Sequence, residues 1–175
     1  MLPFASVVRF LALIALGLLA VASAASARSS GIDPGTPVDG MVVVQGLFRD
    51  ADTSIYERFC DPVVLSPGRR VRTCATVPSV RRLFVGHGTF APKKTIDVAW
   101  NKESWAMWID GRRVSLSRFG HSDRWLYDYP PAGGRDVVLR EWSIVLTGAE
   151  GRHSIRYRTR LPQGVFDTTW RFVVR

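Results

Sequence analysis

The sequence predicts an antiparallel, all-β domain, and three observations lead to this prediction. The apolar runs are short and rich in Val, Ile, Trp and Phe, and turn-forming residues interrupt them about every ten residues. No segment after the N-terminal stretch shows a helical period of useful length. Of the 175 residues, 46% are apolar and 22% are charged, which is typical of a globular domain. About eight or nine strands are expected, and two packed sheets are the natural closure for that number.

The earlier strands are predicted from apolar runs that lie between turn signals. They cover residues 41–48, 70–76, 81–85, 95–100 and 137–147. The first of them begins with the continuous apolar run 41–44, which is typical of a strand buried on both faces.

A β-hairpin is predicted over residues 104–116. The Asp110-Gly111 pair is a strong signal for a two-residue turn of type I′, because both central residues of that turn adopt positive φ. With this pair at the tip, Trp108 faces Arg113 across the hairpin. We therefore expect a cation–π contact between these two side chains.

The C-terminal third alternates strictly between two kinds of residue. One face of a predicted strand carries His153, Ile155, Tyr157, Thr159 and Leu161. The opposite face carries Ser154, Arg156, Arg158 and Arg160. A last strand places Trp170, Phe172 and Val174 on one face. Alternation with a period of two predicts one buried and one solvated face for each strand.

The two cysteines, Cys60 and Cys74, are predicted to form a structural disulfide. A metal site needs more ligands than two cysteines and scattered histidines, and a redox-active pair more often reads Cys-x-x-Cys. Pro67 and Gly68 suit the two central positions of a type II turn. Residues 60–74 are therefore expected to form a hairpin that the disulfide pins.

Two C-terminal segments resemble a known class of domain. Residues 146–158 read LTGAEGRHSIRYR, and the chain closes with Trp170-x-Phe172-x-Val174. The first segment resembles the penultimate strand of bacterial immunoglobulin-like modules, with its Gly-x-His-x-Ile entry after a turn, and the second is similar to their final strand. The resemblance implies an immunoglobulin-like β-sandwich, although the two cysteines lie too close in sequence to join two sheets as in antibody domains. A jelly roll of carbohydrate-binding type is the alternative.

The N-terminal segment is predicted to be a cleaved secretory signal peptide. Arg9 precedes the uncharged run FLALIALGLLAVASA, and small residues follow at positions 22–27, as cleavage by signal peptidase requires. The run is shorter than the roughly 20 apolar residues of a membrane span, so no stable membrane span is expected after cleavage. The predicted organisation is a signal peptide (1–27), a flexible leader (28–37) and a single β-sandwich domain (38–175), secreted or held in a bacterial cell envelope.

The formal net charge of +9 comes mainly from arginine. A basic surface favours anionic partners, and because an exported protein rarely meets nucleic acid, anionic envelope polymers or lipids rank above DNA. The outward Arg156, Arg158 and Arg160 form a secondary candidate face, since guanidinium groups suit phosphates and carboxylates. The alternative is a solvated strand face whose charges discourage aggregation.

No catalytic or metal-binding constellation stands out in the sequence. His153 is expected to be a hydrogen-bonded core residue, and His87 and His121 are expected to lie in loops. The acidic candidates for acid–base chemistry are Asp97, Glu103, Asp110, Asp123, Asp128, Asp136 and Glu141. No pair among them is singled out, no ligand spacing fits zinc or calcium, and no cofactor is predicted.

Residues 120–136 are predicted to form a functional loop, because the segment is long for a compact domain. Trp125, Tyr127 and Tyr129 share one face if the segment is extended, and Arg124 and Arg135 flank them. Such aromatic rows stack on sugars or anchor interfaces, and the alternative is a lid that packs on the sandwich edge.

These observations predict a non-catalytic secreted or cell-surface interaction module whose partner is an unknown protein, glycan or anionic envelope polymer. One alternative is a carbohydrate-binding module of jelly-roll type that uses the three aromatic side chains of the predicted loop. A secreted hydrolase is the other alternative.

Overall fold

The computed structural model describes residues 31–62, 64, 66–126 and 136–175, and in these residues β-strands predominate, which confirms the predicted all-β class. The strands are β1 Thr36–Val38, β2 Met41–Gln45, β3 Thr53–Ser54, β4 Gly68–Thr73, β5 Arg82–Phe84, β6 Gly88–Pro92, β7 Ser104–Ile109, β8 Arg112–Val114, β9 His121–Trp125, β10 Val137–Trp142, β11 Ile144–Thr147, β12 Gly151–Leu161 and β13 Gly164–Val174. Two short α-helices cover Ile55–Arg58 and Ile96–Asn101, and 3-10 turns cover Phe48–Asp50, Lys93–Thr95 and Leu116–Arg118.

The strands form three sheets, one more than predicted. Two sheets have five strands each, in the orders β1-β2-β11-β5-β3 and β4-β13-β12-β7-β8, and the third has the order β6-β10-β9. Neighbouring strands are antiparallel except that β3 runs parallel to β5 and β4 runs parallel to β13. The described residues contain thirteen strands instead of the expected eight or nine. Several of these strands are shorter than predicted, because helices and irregular residues interrupt the apolar runs.

The main hydrophobic core is formed by the inward side chains of the two five-stranded sheets. Val43, Leu83 and Leu146 come from the first sheet, and Ile155 and Trp170 come from the second. All five side chains are completely buried. The predicted alternation along β12 is confirmed by the buried residues His153, Ile155, Tyr157 and Thr159.

The Asp-Gly hairpin is confirmed, but its predicted cation–π contact is wrong. Asp110 and Gly111 have φ angles of 47° and 78°, and Trp108 pairs with Arg113 across β7 and β8. The guanidinium that lies over the Trp108 ring, 4.7 Å from its centre, belongs to Arg156. The reason is that β12 also pairs with β7 and places Arg156 directly beside Trp108.

The disulfide between Cys60 and Cys74 is confirmed, whereas the predicted hairpin around it is wrong. The chain before Cys60 is the helix Ile55–Arg58, in which the Ser54 hydroxyl accepts a hydrogen bond from the Tyr56 amide at 3.2 Å. The chain before Cys74 is β4, which pairs in parallel with β13. The disulfide therefore joins the end of a helix to the end of an edge strand.

The strand predicted over residues 95–100 is wrong, because these residues form most of the helix Ile96–Asn101. Ile96, Val98 and Trp100 fit a strand period of two, but Ile96 and Trp100 also fit a helix, being four residues apart. In the structure Ile96 and Trp100 are buried, while Val98 is 56% exposed. The helical period therefore prevails.

The long strand predicted over residues 137–147 is divided at Ser143. The Ser143 amide donates to the Gly120 carbonyl at 3.2 Å, and its own carbonyl accepts from the Gly46 amide at 3.1 Å. One buried residue thus carries the chain from the three-stranded sheet, through β10, to the first five-stranded sheet, through β11.

The folded unit begins earlier than the predicted boundary at residue 38. Ile32 is completely buried and forms an isolated bridge with Val114, and Thr36–Val38 is strand β1. The prediction of a flexible leader over residues 28–37 is therefore wrong from Gly31 onward. An apolar side chain among polar Gly- and Pro-rich neighbours anchors this segment to the core.

Candidate functional site

A cavity of about 510 Å³ lies between the three-stranded sheet and the five-stranded sheet that contains β12. We call it the His87 cavity. The side chains that matter below come from several elements: Tyr56, His87, Glu103, Trp105, Arg124, Glu141, Tyr157, Thr168 and Trp170. Tertiary contacts between distant parts of the chain therefore create the site.

Two glycines fix the position of His87. A Cβ atom at Gly86 would overlap the carbonyl oxygen of Trp142, and one at Gly88 would overlap the carbonyl oxygen of Arg140. Only glycine permits such a close approach of backbone to backbone. The Trp142 amide also donates to the His87 carbonyl at 3.1 Å. The Gly-His-Gly segment is thereby held against β10, with the imidazole directed into a group of aromatic rings.

The imidazole of His87 is surrounded by aromatic side chains. Its ring centre lies 5.2 Å from that of Trp170, 5.3 Å from those of Tyr56 and Tyr157, and 6.1 Å from that of Trp105. Burial among these rings lowers the pKa of His87 to about 4, because the charged form loses its hydration. His87 is therefore neutral at neutral pH and contributes a polar but uncharged wall.

Glu141 supplies a buried carboxyl group to the same cavity. Its side chain is 3% exposed, and its Oε1 accepts a hydrogen bond from Arg124 Nε at 3.3 Å. Burial raises the pKa of Glu141 to about 7, and the Arg124 guanidinium opposes this rise only in part. The carboxyl group therefore changes its charge near neutral pH. Arg124 in turn lies over the Phe48 ring, 3.9 Å from its centre.

Four residues of the cavity wall, Tyr56, Glu103, Trp105 and Thr168, each carry a buried polar side-chain atom that makes no hydrogen bond of normal geometry among the described residues. These atoms have almost no accessible surface, so they are packed within the wall and do not face the space of the cavity. Burial raises the pKa of Glu103 to about 6, and hydrogen bonding from Thr89 and Trp105 opposes this rise.

The structure brings one residue of the predicted binding segment into the cavity. Arg124 lines the wall, whereas Trp125, the next residue of β9, is 44% exposed. The prediction that residues 120–136 form one loop is wrong at its start, because His121–Trp125 pairs with β10 as strand β9. Tyr127, Tyr129 and Arg135 lie outside the described residues.

The secondary basic face is partly neutralised by one carboxylate. Arg156 Nε donates to Asp167 Oδ1 at 2.7 Å, and Arg158 Nε lies 3.7 Å from Asp167 Oδ2. The Arg156 guanidinium holds the pKa of the buried Asp167 below its usual value. Arg160 is exposed. Two of the three arginines thus make ion pairs within the sheet, which favours a structural role for this face.

The other two histidines differ from His87 in their surroundings. His153 is a hydrogen-bonded core residue as predicted, with Nδ1 2.8 Å from Asp110 Oδ2 and Nε2 2.9 Å from the Glu150 carbonyl oxygen. His121 lies in β9 instead of a loop, and its ring centre is 5.1 Å from that of Trp100.

The described residues contain no group of three or more His, Cys, Asp or Glu side chains placed to hold a metal ion. No helix in this part of the chain is both long and apolar enough to cross a membrane.

Sequence reasoning missed the central residue of the cavity and did not distinguish its two carboxyl groups. His87 lies between two glycines, a pattern that reads as a turn unless the backbone approach behind it is known. Glu103 and Glu141 are among the acidic candidates, but their environment depends on how three sheets pack. One sequence signal could have found Glu141: it is a carboxylic acid two residues after Leu139, on the same face of a mainly apolar strand, where burial is expected.

No protein-family model matches the chain, and no curated protein matches it significantly. The chain is similar to a solved cysteine protease inhibitor, EhICP2, from Entamoeba histolytica, with a TM-score of 0.32 and 15% identity over 63% of this chain and 100% of the inhibitor. A similarity this weak carries no argument about function.

Proposed function

We propose that the protein is an exported, non-catalytic binding protein that holds a small organic ligand in the His87 cavity. The observation that carries this proposal is a cavity whose wall combines aromatic side chains with the ionisable side chains of Glu103, Arg124 and Glu141. Small-molecule sites typically combine a mainly apolar pocket with a few converging polar groups. The volume of about 510 Å³ also falls within the range of such sites, roughly 300–1,000 Å³.

Export through a cleaved signal peptide, a bacterial envelope location and an immunoglobulin-like arrangement of the sheets belong to the same proposal. The pattern of residues 1–27 supports export, and the Cys60–Cys74 disulfide is compatible with an oxidising compartment. Trp125 follows Arg124 in β9, and successive side chains of a strand point to opposite faces of the sheet, so the exposed Trp125 side chain does not line the cavity.

A thermal-shift screen with a small-fragment library of sugars, nucleosides, amines and aromatic acids tests the proposal. Leu139→Trp fills the cavity from β10, and Val98→Trp is the matched control on an exposed helical site away from the cavity. We expect fragments that raise the melting temperature of the wild type and of Val98→Trp, but not that of Leu139→Trp. No stabilising fragment, or equal stabilisation of all three proteins, would refute the proposal.

A secreted hydrolase is the second candidate, and one observation favours it. Glu103 and Glu141 line the same cavity, and both have a pKa raised toward neutrality by burial, as a general acid requires. Hydrolysis of 4-nitrophenyl glycosides and esters is the discriminating assay. Turnover that Glu141→Gln abolishes while the fold is retained would favour the enzyme over the binding protein.

A further inference from the structure

We infer that the outward face of the sheet β4-β13-β12-β7-β8 binds a linear polyanion, a polymer that carries phosphate or carboxylate groups at regular intervals. We call this surface the arginine face. It lies on the side of the sheet opposite to the main core and the His87 cavity, so the inference goes beyond the proposed function. It is carried by the composition of the five strands, by their register and by the exposure of their side chains.

Positive charge accumulates on these strands with little compensation. The five strands contain ten arginines, no lysine and one carboxylic acid, Asp167. Side chains of a strand alternate between its two faces, and the buried Ile155 and Tyr157 mark the inward face of β12. The register then places seven arginines on the outward face, and all of them except Arg156 are exposed. These seven are Arg69, Arg113, Arg152, Arg156, Arg158, Arg160 and Arg171.

Asp167 shows how this face holds an oxyanion. Arg156 donates from Nε to Oδ1 at 2.7 Å and from Nη2 to Oδ2, so its guanidinium binds the carboxylate through two parallel hydrogen bonds. Arg158 lies 3.7 Å from the same carboxylate, and Arg69 is its partner in the register of β4. One carboxylate cannot neutralise seven guanidinium groups. The ion pairs therefore give Arg156 a structural role and leave a surplus of positive charge on the arginine face.

The arrangement of the arginines fits an extended chain. Four of the seven lie along the central strand β12, from Arg152 to Arg160, while Arg69 and Arg171 lie to one side and Arg113 to the other. Outward residues two positions apart are separated by about 7 Å, so the row from Arg152 to Arg160 is about 27 Å long. A small anion reaches two or three of these groups at most, whereas a polymer laid along β12 contacts the whole row.

The apolar side chains of the face favour a polymer over an anionic membrane. Proteins that lie on a membrane bury Trp, Phe or Leu side chains at its surface. The outward Trp108 instead has the Arg156 guanidinium over its ring, 4.7 Å from its centre, and the exposed Val71 lies on the edge strand β4. Within the described residues of these strands, the face therefore presents guanidinium groups and not an apolar row that could insert.

The test is calorimetric titration with polyphosphate and with polygalacturonate at 50, 100 and 200 mM NaCl, next to neutral dextran. The face variant combines three exposed positions of the sheet: Arg69→Gln, Arg160→Gln and Arg171→Gln. The matched control variant loses the same charge at three exposed arginines outside this sheet: Arg49→Gln, Arg81→Gln and Arg118→Gln. Both variants should keep the wild-type melting temperature, because exposed side chains contribute little to packing.

We expect at least one of the two polyanions, but not dextran, to bind the wild type and the control variant with similar affinity. The face variant should bind at least about tenfold more weakly at 100 mM NaCl. Because each phosphate contact contributes about 0.7–0.9 to the slope of log affinity against log salt, this slope should become shallower by about 2–3 in the face variant. The polymer that binds more tightly identifies the anionic group. Leu139→Trp, which fills the cavity, should bind the polymer like the wild type, so failure of the cavity proposal remains distinguishable.

Three results would overturn the inference. Equal affinities of the face variant and the control variant would show that binding does not depend on the arginine face. Binding of neither polyanion at 50 mM NaCl would refute the ligand class. Binding to phosphatidylglycerol vesicles without binding of either polymer would assign the face to a membrane surface instead.

Discussion

Replacing Glu141 by glutamine should change how the stability of the protein depends on pH. The wild-type carboxyl is nearly completely buried, and burial raises its pKa from 4.5 to about 7. Because the folded pKa lies above the unfolded one, the unfolded chain releases this proton first as the pH rises. The free energy of unfolding therefore falls between about pH 4.5 and pH 7, and Glu141→Gln removes this decrease.

The expected magnitude follows from the two pKa values. A rise from 4.5 to about 7 corresponds to about 3.4 kcal/mol in total, of which about 2.5 kcal/mol develops between pH 5 and pH 8. The free energy of unfolding of Glu141→Gln should therefore rise by about 2.5 kcal/mol relative to that of the wild type over this interval. Urea unfolding at pH 5, 6, 7 and 8 measures this difference, and other titrating groups cancel in the comparison.

His87→Gln provides a control of opposite sign. Burial lowers the pKa of His87 from 6.5 to about 4, so the wild type loses stability as the pH falls through this range. Relative to the wild type, His87→Gln should therefore become more stable as the pH falls toward 5, whereas the relative stability of Glu141→Gln increases as the pH rises. A stability difference for Glu141→Gln that stays constant from pH 5 to pH 8 would refute the burial argument for this carboxyl.

Two further predictions concern the cross-links of the fold. Replacing Cys60 and Cys74 by alanine opens a loop with a sequence separation of 14 and should cost about 3 kcal/mol in urea unfolding; a loss below about 1 kcal/mol would contradict the chain-entropy reasoning. Arg156→Ala leaves Asp167, whose side chain is 8% exposed, without its main partner and should cost about 3 kcal/mol. Arg160→Ala on the same face should stay within about 0.5 kcal/mol, and equal losses for both variants would show that the Asp167 ion pair contributes nothing.

Local chemistry explains which parts of the fold are predictable from the sequence. The Asp110-Gly111 turn depends on two backbone conformations that these residues adopt readily, and the buried face of β12 depends on a strict period of two. The short run from Ile96 to Trp100 satisfies both a helical and a strand period, so its own residues cannot decide between them. Packing of Trp100 against Trp105 and Trp142 supplies the missing constraint.

The site is less predictable than the fold, because its residues meet only after the sheets assemble. His87 and Glu141 lie 54 positions apart in the sequence, and the pKa of each depends on burial that no local pattern encodes. The binding segment over residues 120–136 is predicted from its aromatic side chains and not from contacts with other parts of the fold. Arg124 of that segment reaches the cavity because β9 pairs with β10, a register that the sequence of the segment alone does not specify.

The separate three-stranded sheet has a consequence for how ligand preference can diverge. Within the described residues, β6, β9 and β10 pair with one another and with no strand of the two core sheets. Substitutions on the cavity side of these strands can therefore reshape one wall without shifting the register of the core. A randomised library confined to Phe90, Arg124 and Leu139 would sample new specificities while the opposite wall and the long strands β12 and β13 remain constant.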